Sequence, residues 1–386
     1  MEKGVFFMVM ITLQEALDST TVEGELYEKL EKGKIRCVAC GHRCLILPGL
    51  RGICKVRYNE GGRLRVPFGY AAGVQSDPVE KKPYFHALPG SNALTFGMLG
   101  CDFHCPYCQN WVTSQALRDD AAGVAPTHFS PADLVQVAQG SGARLVVSSY
   151  NEPLITAEWS MTVFKAAKAA GLVTGFVSNG NATTEALDYI KPYTDCYKVD
   201  LKSMRQKNYR DLGGQVKHVL WTIEALHQWG FWLEVLTLVI PGFNDSNEEL
   251  QDAAQFIAGL SPDIPWHVTA FHKDYKMTEP DNTTAATLIR AAEIGAEAGL
   301  HFVYAGNRPG EVGRWENTYC PRCHALLIER FGYVVLGYHL TDEGSCPNCQ
   351  HSIPGLWPKS AQEVITGSHA DIFKRRPVRV RIGRPV

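Results

Sequence analysis

At 386 residues, with 45% hydrophobic and 20% charged side chains, the chain is long enough for two or three domains or one large α/β barrel with appendages. That composition excludes a disordered or fibrous protein. The formal charge is −2, but residues 371–386 carry six basic side chains and one acidic, which leaves −7 on the rest and argues against a body built to bind nucleic acid.

In chain order, the first feature is an apolar stretch at 5–13. It is too short to span a bilayer and lacks a small-residue cleavage pattern, so it reads as a docking strand or as a leader before a start at Met10, in a cytoplasmic protein. Twelve cysteines follow in groups of four, three and four, with Cys196 left over in an apolar strand as a buried filler. A cytoplasmic chain rarely keeps so many as disulfides, so the spacing points to metal. Cys37, Cys40, Cys44 and Cys54 can hold zinc or a second iron–sulfur cluster, with His42 as an alternative ligand. Asp77, Glu80, Lys81, Lys82 and His86 then form a charged segment that reads equally as the lining of a substrate mouth and as a solvated linker.

Residues 93–98 read as a strand running into Cys101, Cys105 and Cys108, spaced C-x3-C-x2-C. Three thiolates on one loop can hold three corners of a 4Fe-4S cluster and leave one iron open, while a zinc knuckle borrowing His104 is the alternative. Strand patterns recur at 144–150, 172–177, 196–201, 232–240, 266–271 and 302–304, with helical periodicity at 158–170, 184–190, 222–229, 248–260 and 285–298. This alternation predicts an α/β fold, a parallel sheet closed or partly closed into a TIM-type barrel with its chemistry at the carboxyl ends of the strands. There stand Asn151-Glu152-Pro153, Ser178-Asn179-Gly180, Asp200, Lys202, residues 241–245 and His272. Strand alternation points Asp200 and Lys202 to one side, where they could bind a zwitterion.

Cys320, Cys323, Cys346 and Cys349, spaced C-x2-C-x22-C-x2-C, fit a zinc ribbon or a rubredoxin-like iron site, with a hairpin around Gly332 between the pairs. The expected divisions are a cysteine-rich lobe at 1–69, the barrel at 70–310, the ribbon at 311–358 and a basic tail at 359–386 that could touch an acidic partner or RNA.

The C-x3-C-x2-C loop with Tyr107 before its last cysteine resembles the cluster loop of the radical S-adenosylmethionine superfamily. Residues 178–180, 200–202 and 239–242 resemble stretches of glycyl-radical-enzyme activases such as the pyruvate formate-lyase activating enzymes. Residues 37–44, 51–57, 77–83, 108–111, 150–153, 274–277, 316–320 and 353–357 are similar to the AmmeMemoRadiSam-system radical SAM enzyme. The resemblance implies a partial (β/α)6-type barrel and an oxidoreductase whose 4Fe-4S cluster on Cys101, Cys105 and Cys108 reductively cleaves S-adenosylmethionine. The resulting 5′-deoxyadenosyl radical would abstract hydrogen from a substrate that the resemblance does not name. By the same resemblance Glu152, Asn151, Ser178, Asn179, Asp200, Lys202 and His272 bind the cofactor and Tyr107 packs near its adenine. Implied partners are a reducing donor of flavodoxin or ferredoxin type and Memo-type and AMME-type proteins, with no membrane and no nucleic acid. The activases' arginine on the fifth strand has no counterpart in Glu234-Val235-Leu236-Thr237-Leu238, and Tyr150-Asn151-Glu152 replaces the usual Gly-Gly-Glu. A glycyl-radical activase and an RNA-modifying protein are the two alternatives.

Overall fold

The computed structural model describes residues 11–368 and the backbone of 378–379. Its centre is a nine-stranded sheet in which seven consecutive neighbours run parallel. These are β1 (Asn92–Gly97), β2 (Ala143–Ser148), β3 (Val173–Ser178), β4 (Cys196–Asp200), β5 (Trp232–Val239), β6 (Trp266–Ala270) and β7 (Val303–Gly306). Crossovers run through α1 (Pro131–Gly140), α2 (Ala157–Ala169), α3 (Thr184–Ile190), α4 (Val216–Gln228), α5 (Asn247–Leu260) and α6 (Ala285–Glu297). The alternation read from the sequence is therefore realised, with a longer fourth helix and an additional α1. Helix α1 starts on a capping box in which the Ser130 hydroxyl accepts from Asp133 N while the Asp133 carboxylate accepts from Ser130 N.

Successive side chains of each strand go to opposite faces, and the apolar ones separate accordingly. Leu94, Phe96, Val146, Phe176 and Val199 join the large core beneath the helices, whereas Ala93, Leu145, Val147 and Cys196 meet Val79, Tyr84 and Leu88 on the other, inner face. Cys196 is fully buried there, as expected. Beyond β1 lies the antiparallel strand Gly73–Pro78, to which Val378–Arg379 adds one more. Those two residues apart, the basic tail from Lys374 lies outside the described residues, as does the stretch 5–10, while Leu13 opens the short helix Leu13–Asp18.

Two small sheets, Thr21–Glu23/Arg63–Pro67/Tyr58–Glu60 and Tyr27–Lys29/Ile35–Cys37/Leu45–Ile46, form the amino-terminal lobe. Its Ile35, Val56 and Leu64 belong to the same core as the parallel strands, so the lobe has no separate interior. The ribbon is different: Leu327, Ile328, Val335, Leu340 and Ile353 form their own cluster with Phe85, Phe302 and Tyr304. It closes over the amino ends of the strands. Leu356 N donates to His86 O and Leu88 N to Leu356 O (2.7 and 2.8 Å), and a Cβ on Gly355 would sit 2.8 Å from His86 O. His86 consequently lies fully buried, its ring nitrogens 2.7 Å from Pro354 O and 2.6 Å from Tyr304 Oη. That corrects the reading of His86 as part of a substrate mouth, and burial, which pushes its pKa down to about 4, keeps it neutral.

No helix among the described residues is long and apolar enough to cross a membrane.

Candidate functional site

The loop after β1 turns at Gly100 (φ 91°), whose amide donates to Thr113 O. Phe103 N donates to Cys101 Sγ at 3.4 Å, Cys108 Sγ lies 3.2 Å from Ser114 Oγ, and His104 N is tied to Leu212 O. His104 is exposed, its ring set against Gly213, where a Cβ would lie 2.5 Å from His104 Cε1. Burial pushes all three thiols up, Cys105 to about 12 despite the neighbouring Lys202 cation. Thiols in such surroundings ionise only when a metal takes the proton's place.

The carboxyl ends of β2, β3 and β4 face this loop. Glu152 is fixed by Leu154 N and Ser178 Oγ on one oxygen (3.0 and 2.8 Å) and by Asn179 N on the other (2.7 Å). Burial and then the adjacent Asp102 carboxylate push Glu152 up to about 8, against the pull of those donors. A cation seated beside it would reverse that shift. Asp102, fully buried, is held by Asn179 Nδ2 and Asn181 Nδ2 at 2.7 and 2.8 Å. Asn151 spends its side chain on the loop itself, accepting from Met98 N at 3.0 Å and donating to Glu152 O at 3.1 Å.

Asp200 at the end of β4 contacts Lys198 and, at 3.4 Å, Lys202. Burial raises its carboxyl, but the two ammonium groups outweigh that and leave it below the usual range. Lys202 stands near Cys105 and Tyr107, and its amide donates to Tyr209 Oη at 3.1 Å. Tyr107 is buried, its ring 5.8 Å from that of Phe243. The structure thus gathers Cys101, Cys105, Cys108, Tyr107, Glu152, Ser178, Asn179, Asp200 and Lys202. His272 is exposed, with Nδ1 3.2 Å from Lys273 O.

Sequence reasoning passed over Asp102, Asn181 and Lys198. Asn181 continues the run 178–180, and Lys198 shares the strand face of Asp200 and Lys202, so both carried a readable signal. Of the charged segment, Lys82 is buried and donates to Asp77 (2.8 Å) and Tyr150 (3.1 Å) beside the end of β2, whereas Glu80 accepts from Gly90 N.

At the ribbon, Sγ atoms of Cys320 and Cys349 lie 3.5 Å apart and those of Cys323 and Cys346 3.6 Å, with all four within 4.8 Å of one another. The two pairs sit on matching knuckles: His324 N donates to Cys320 O and Gln350 N to Cys346 O, each at 2.9 Å, with both donors at positive φ. The spacing is that of one tetrahedral ion.

Residues 96–257 match the Radical SAM superfamily. An uncharacterized protein of Methanocaldococcus jannaschii is 34% identical over 311 residues, which is 80% of this chain and 91% of that one. The pyruvate formate-lyase 1-activating enzyme of Escherichia coli K12 is 26% identical over 209 residues, 50% of this chain and 80% of its own. A crystallised domain of a pyruvate-formate lyase-activating enzyme from Bacteroides vulgatus covers 42% of this chain and 98% of its own at 22% identity and a TM-score of 0.37. With its three-thiol loop at the head of a parallel α/β sheet, the chain belongs to the radical SAM superfamily.

Proposed function

We propose that this chain is a cytoplasmic radical SAM enzyme built on a partial (β/α) barrel, which reductively cleaves S-adenosylmethionine at a 4Fe-4S cluster held by Cys101, Cys105 and Cys108. The observation that carries the reading is the convergence of three thiols, Cys105 buried and Cys101 and Cys108 half-buried, with Glu152, Asp200 and Lys202 at the carboxyl ends of the parallel strands. The donor set fits both groups: thiols for iron, a buried carboxylate repelled by Asp102 for an ammonium, and the Asp200–Lys202 pair for a zwitterion. Bound there, cluster and cofactor would supply one-electron cleavage of a carbon–sulfur bond and a 5′-deoxyadenosyl radical able to take hydrogen from a substrate.

The protein's own part is positional. Ser178 and Asn179 N–H hold the Glu152 carboxylate in place to accept from the ammonium, Lys202 offers its charge to the carboxylate, and Tyr107 excludes water from the thiols. Lys82, Asp77 and Tyr150 stand next to this set as candidate substrate contacts. The ribbon would hold zinc in a stabilising role, and a flavodoxin- or ferredoxin-type protein would supply electrons.

The test is anaerobic reconstitution and dithionite reduction, with 5′-deoxyadenosine measured by chromatography. Formation in the wild type and none in Cys105→Ala is the expected result, and equal formation in both would overturn the assignment.

A second reading, activation of a glycyl-radical enzyme, is favoured by the similarity to the Escherichia coli activating enzyme over half of the chain. It is weakened by β5, where Glu234 on the inner face is committed to structure and no arginine stands. A glycyl-type doublet on a partner in electron paramagnetic resonance (EPR) would select it. Action on a small molecule or protein together with Memo-type and AMME-type partners remains the preferred proposal.

A further inference from the structure

We propose that Cys37, Cys40, Cys44 and Cys54 hold a second iron–sulfur cluster, through which electrons reach the cluster at Cys101, Cys105 and Cys108. The inference rests on the preceding reading for its acceptor, but the nature of the metal at the amino-terminal site can be tested without it.

The four thiols belong to one place. Cys37 N donates to Cys44 O at 3.0 Å, Arg43 N turns back onto Cys40 O at 3.0 Å, and a Cβ on Gly52, two residues before Cys54, would lie 3.7 Å from Cys44 Sγ. Cys37, Cys40 and Cys54 are buried, and Cys44 is the partly exposed corner.

This place adjoins the C-x3-C-x2-C loop. One guanidinium, Arg118, donates to Phe103 O with Nη1 and to Ile53 O with Nη2, each at 2.5 Å, and so clamps the two cysteine loops together. A Cβ on Gly100 would lie 2.8 Å from Val56 Cγ1 and 3.1 Å from Cys54 O, so the loops touch through backbone. The ring of His42 meets that of Phe103 edge-on at 6.3 Å. A continuous bonded path also joins them: Gly41 N, next to Cys40, donates to Asn181 O at 2.8 Å, and Asn181 Nδ2 donates at 2.8 Å to Asp102, next to Cys101.

Two features separate this site from a zinc staple. The ribbon shows what a single-ion site looks like in this chain, four sulfurs within 4.8 Å. Among the described residues no second set of three or more histidine, cysteine, aspartate or glutamate ligands meets that spacing, so the amino-terminal four do not have the single-ion spacing of the ribbon. The lobe also needs no staple, because it shares the core of the parallel sheet through Ile35, Val56 and Leu64. The balance is simple: a low-potential one-electron donor docks at the Cys44 side, one electron enters, and one electron passes on to the Cys101 group, with no proton moved.

The experiment uses the full chain, reconstituted anaerobically, with iron and zinc measured by mass spectrometry and EPR spectra of the reduced protein taken with and without S-adenosylmethionine. Wild type should hold about eight irons and one zinc. The Cys101→Ala/Cys105→Ala/Cys108→Ala variant should keep about four irons and a signal that S-adenosylmethionine does not shift. Cys37→Ser/Cys54→Ser should lose about four irons, keep the shifted signal under dithionite, and be reduced at least about tenfold more slowly by a flavodoxin-type donor. About four irons and two zincs in wild type would overturn the cluster, and unchanged reduction by the donor would overturn the relay. Should Cys37→Ser/Cys54→Ser fail to fold, the wild-type metal ratio and the triple variant still decide. A wild-type signal that S-adenosylmethionine never shifts, with eight irons present, would instead count against the proposed function alone.

Discussion

Two buried glutamates mark the two ends of the parallel sheet. Glu234, toward the amino ends, accepts from Phe85 N, His86 N and Trp232 Nε1 at 3.0 Å each and faces His267 Nε2 at 2.7 Å. Burial raises its carboxyl, but the bond to His267 and the surrounding partners outweigh that and hold it below the usual value. Glu152, at the carboxyl ends, also has three donors, yet its charged neighbour is the Asp102 carboxylate, and it is pushed up to about 8. Equal burial therefore has opposite consequences. Glu234 is a closed structural node, and Glu152 is a carboxylate whose charge its surroundings leave uncompensated, the condition of a group that awaits a cation.

If that contrast is right, mutations at the two ends should separate activity from stability. The largest effect on chemistry is expected from Cys105→Ala, with complete loss of 5′-deoxyadenosine formation and less than about 1 kcal/mol change in apo-protein stability by urea titration. Glu234→Ala should do the reverse, lowering stability by about 3–5 kcal/mol because it strands buried donors, while any folded fraction still binds cluster. A stable Glu234→Ala protein would break the comparison at its structural end. Next in size is Gly355→Val, whose Cβ would meet Trp357 Cζ2 at 2.5 Å and His86 O at 2.8 Å. Prying the ribbon from the strands should cost about 1–3 kcal/mol, and limited proteolysis should then release a fragment beginning near residue 311.

The contrast also explains what could be read in advance. Strand and helix periodicities in 93–304 are local, so the parallel order followed from the sequence, and Asp200 with Lys202 followed from alternation alone. His86 was misread because its partner Pro354 lies 268 residues away, and no local pattern announces such a bond. Arg118, the clamp between the two cysteine loops, stands in a stretch with no periodicity for the same reason. Helix α1 was missed although its signal is local: Ser130-Pro131-Ala132-Asp133 carries a cap, a first-turn proline and an acidic partner. His272 was nominated by its place after the sixth strand and by resemblance; it lies exposed, with Nδ1 3.2 Å from Lys273 O, in the loop that Lys276 N ties to Pro106 O of the cysteine loop.

A pH slope is the last effect expected, and it sharpens the comparison most. In the cofactor-free protein the Glu152 carboxyl holds its proton up to about pH 8, whereas in the unfolded chain it loses it near 4.5. Between those values the folded state binds more protons than the unfolded one, so stability must fall as pH rises from about 5 through 8. Glu234 has the opposite sign, since its carboxyl lies below the usual value, and it contributes stability that is lost only as the solution becomes acid. Urea titrations of wild type and Glu152→Gln at pH 5.5 and 8.5 isolate the first contribution: the difference between the two pH values should shrink in the variant. S-adenosylmethionine, by placing its ammonium beside the carboxylate, should abolish the same difference in the cluster-loaded wild type and bind Glu152→Gln about 10- to 100-fold more weakly by equilibrium dialysis. A slope that survives the substitution undiminished would remove Glu152 from the cofactor site.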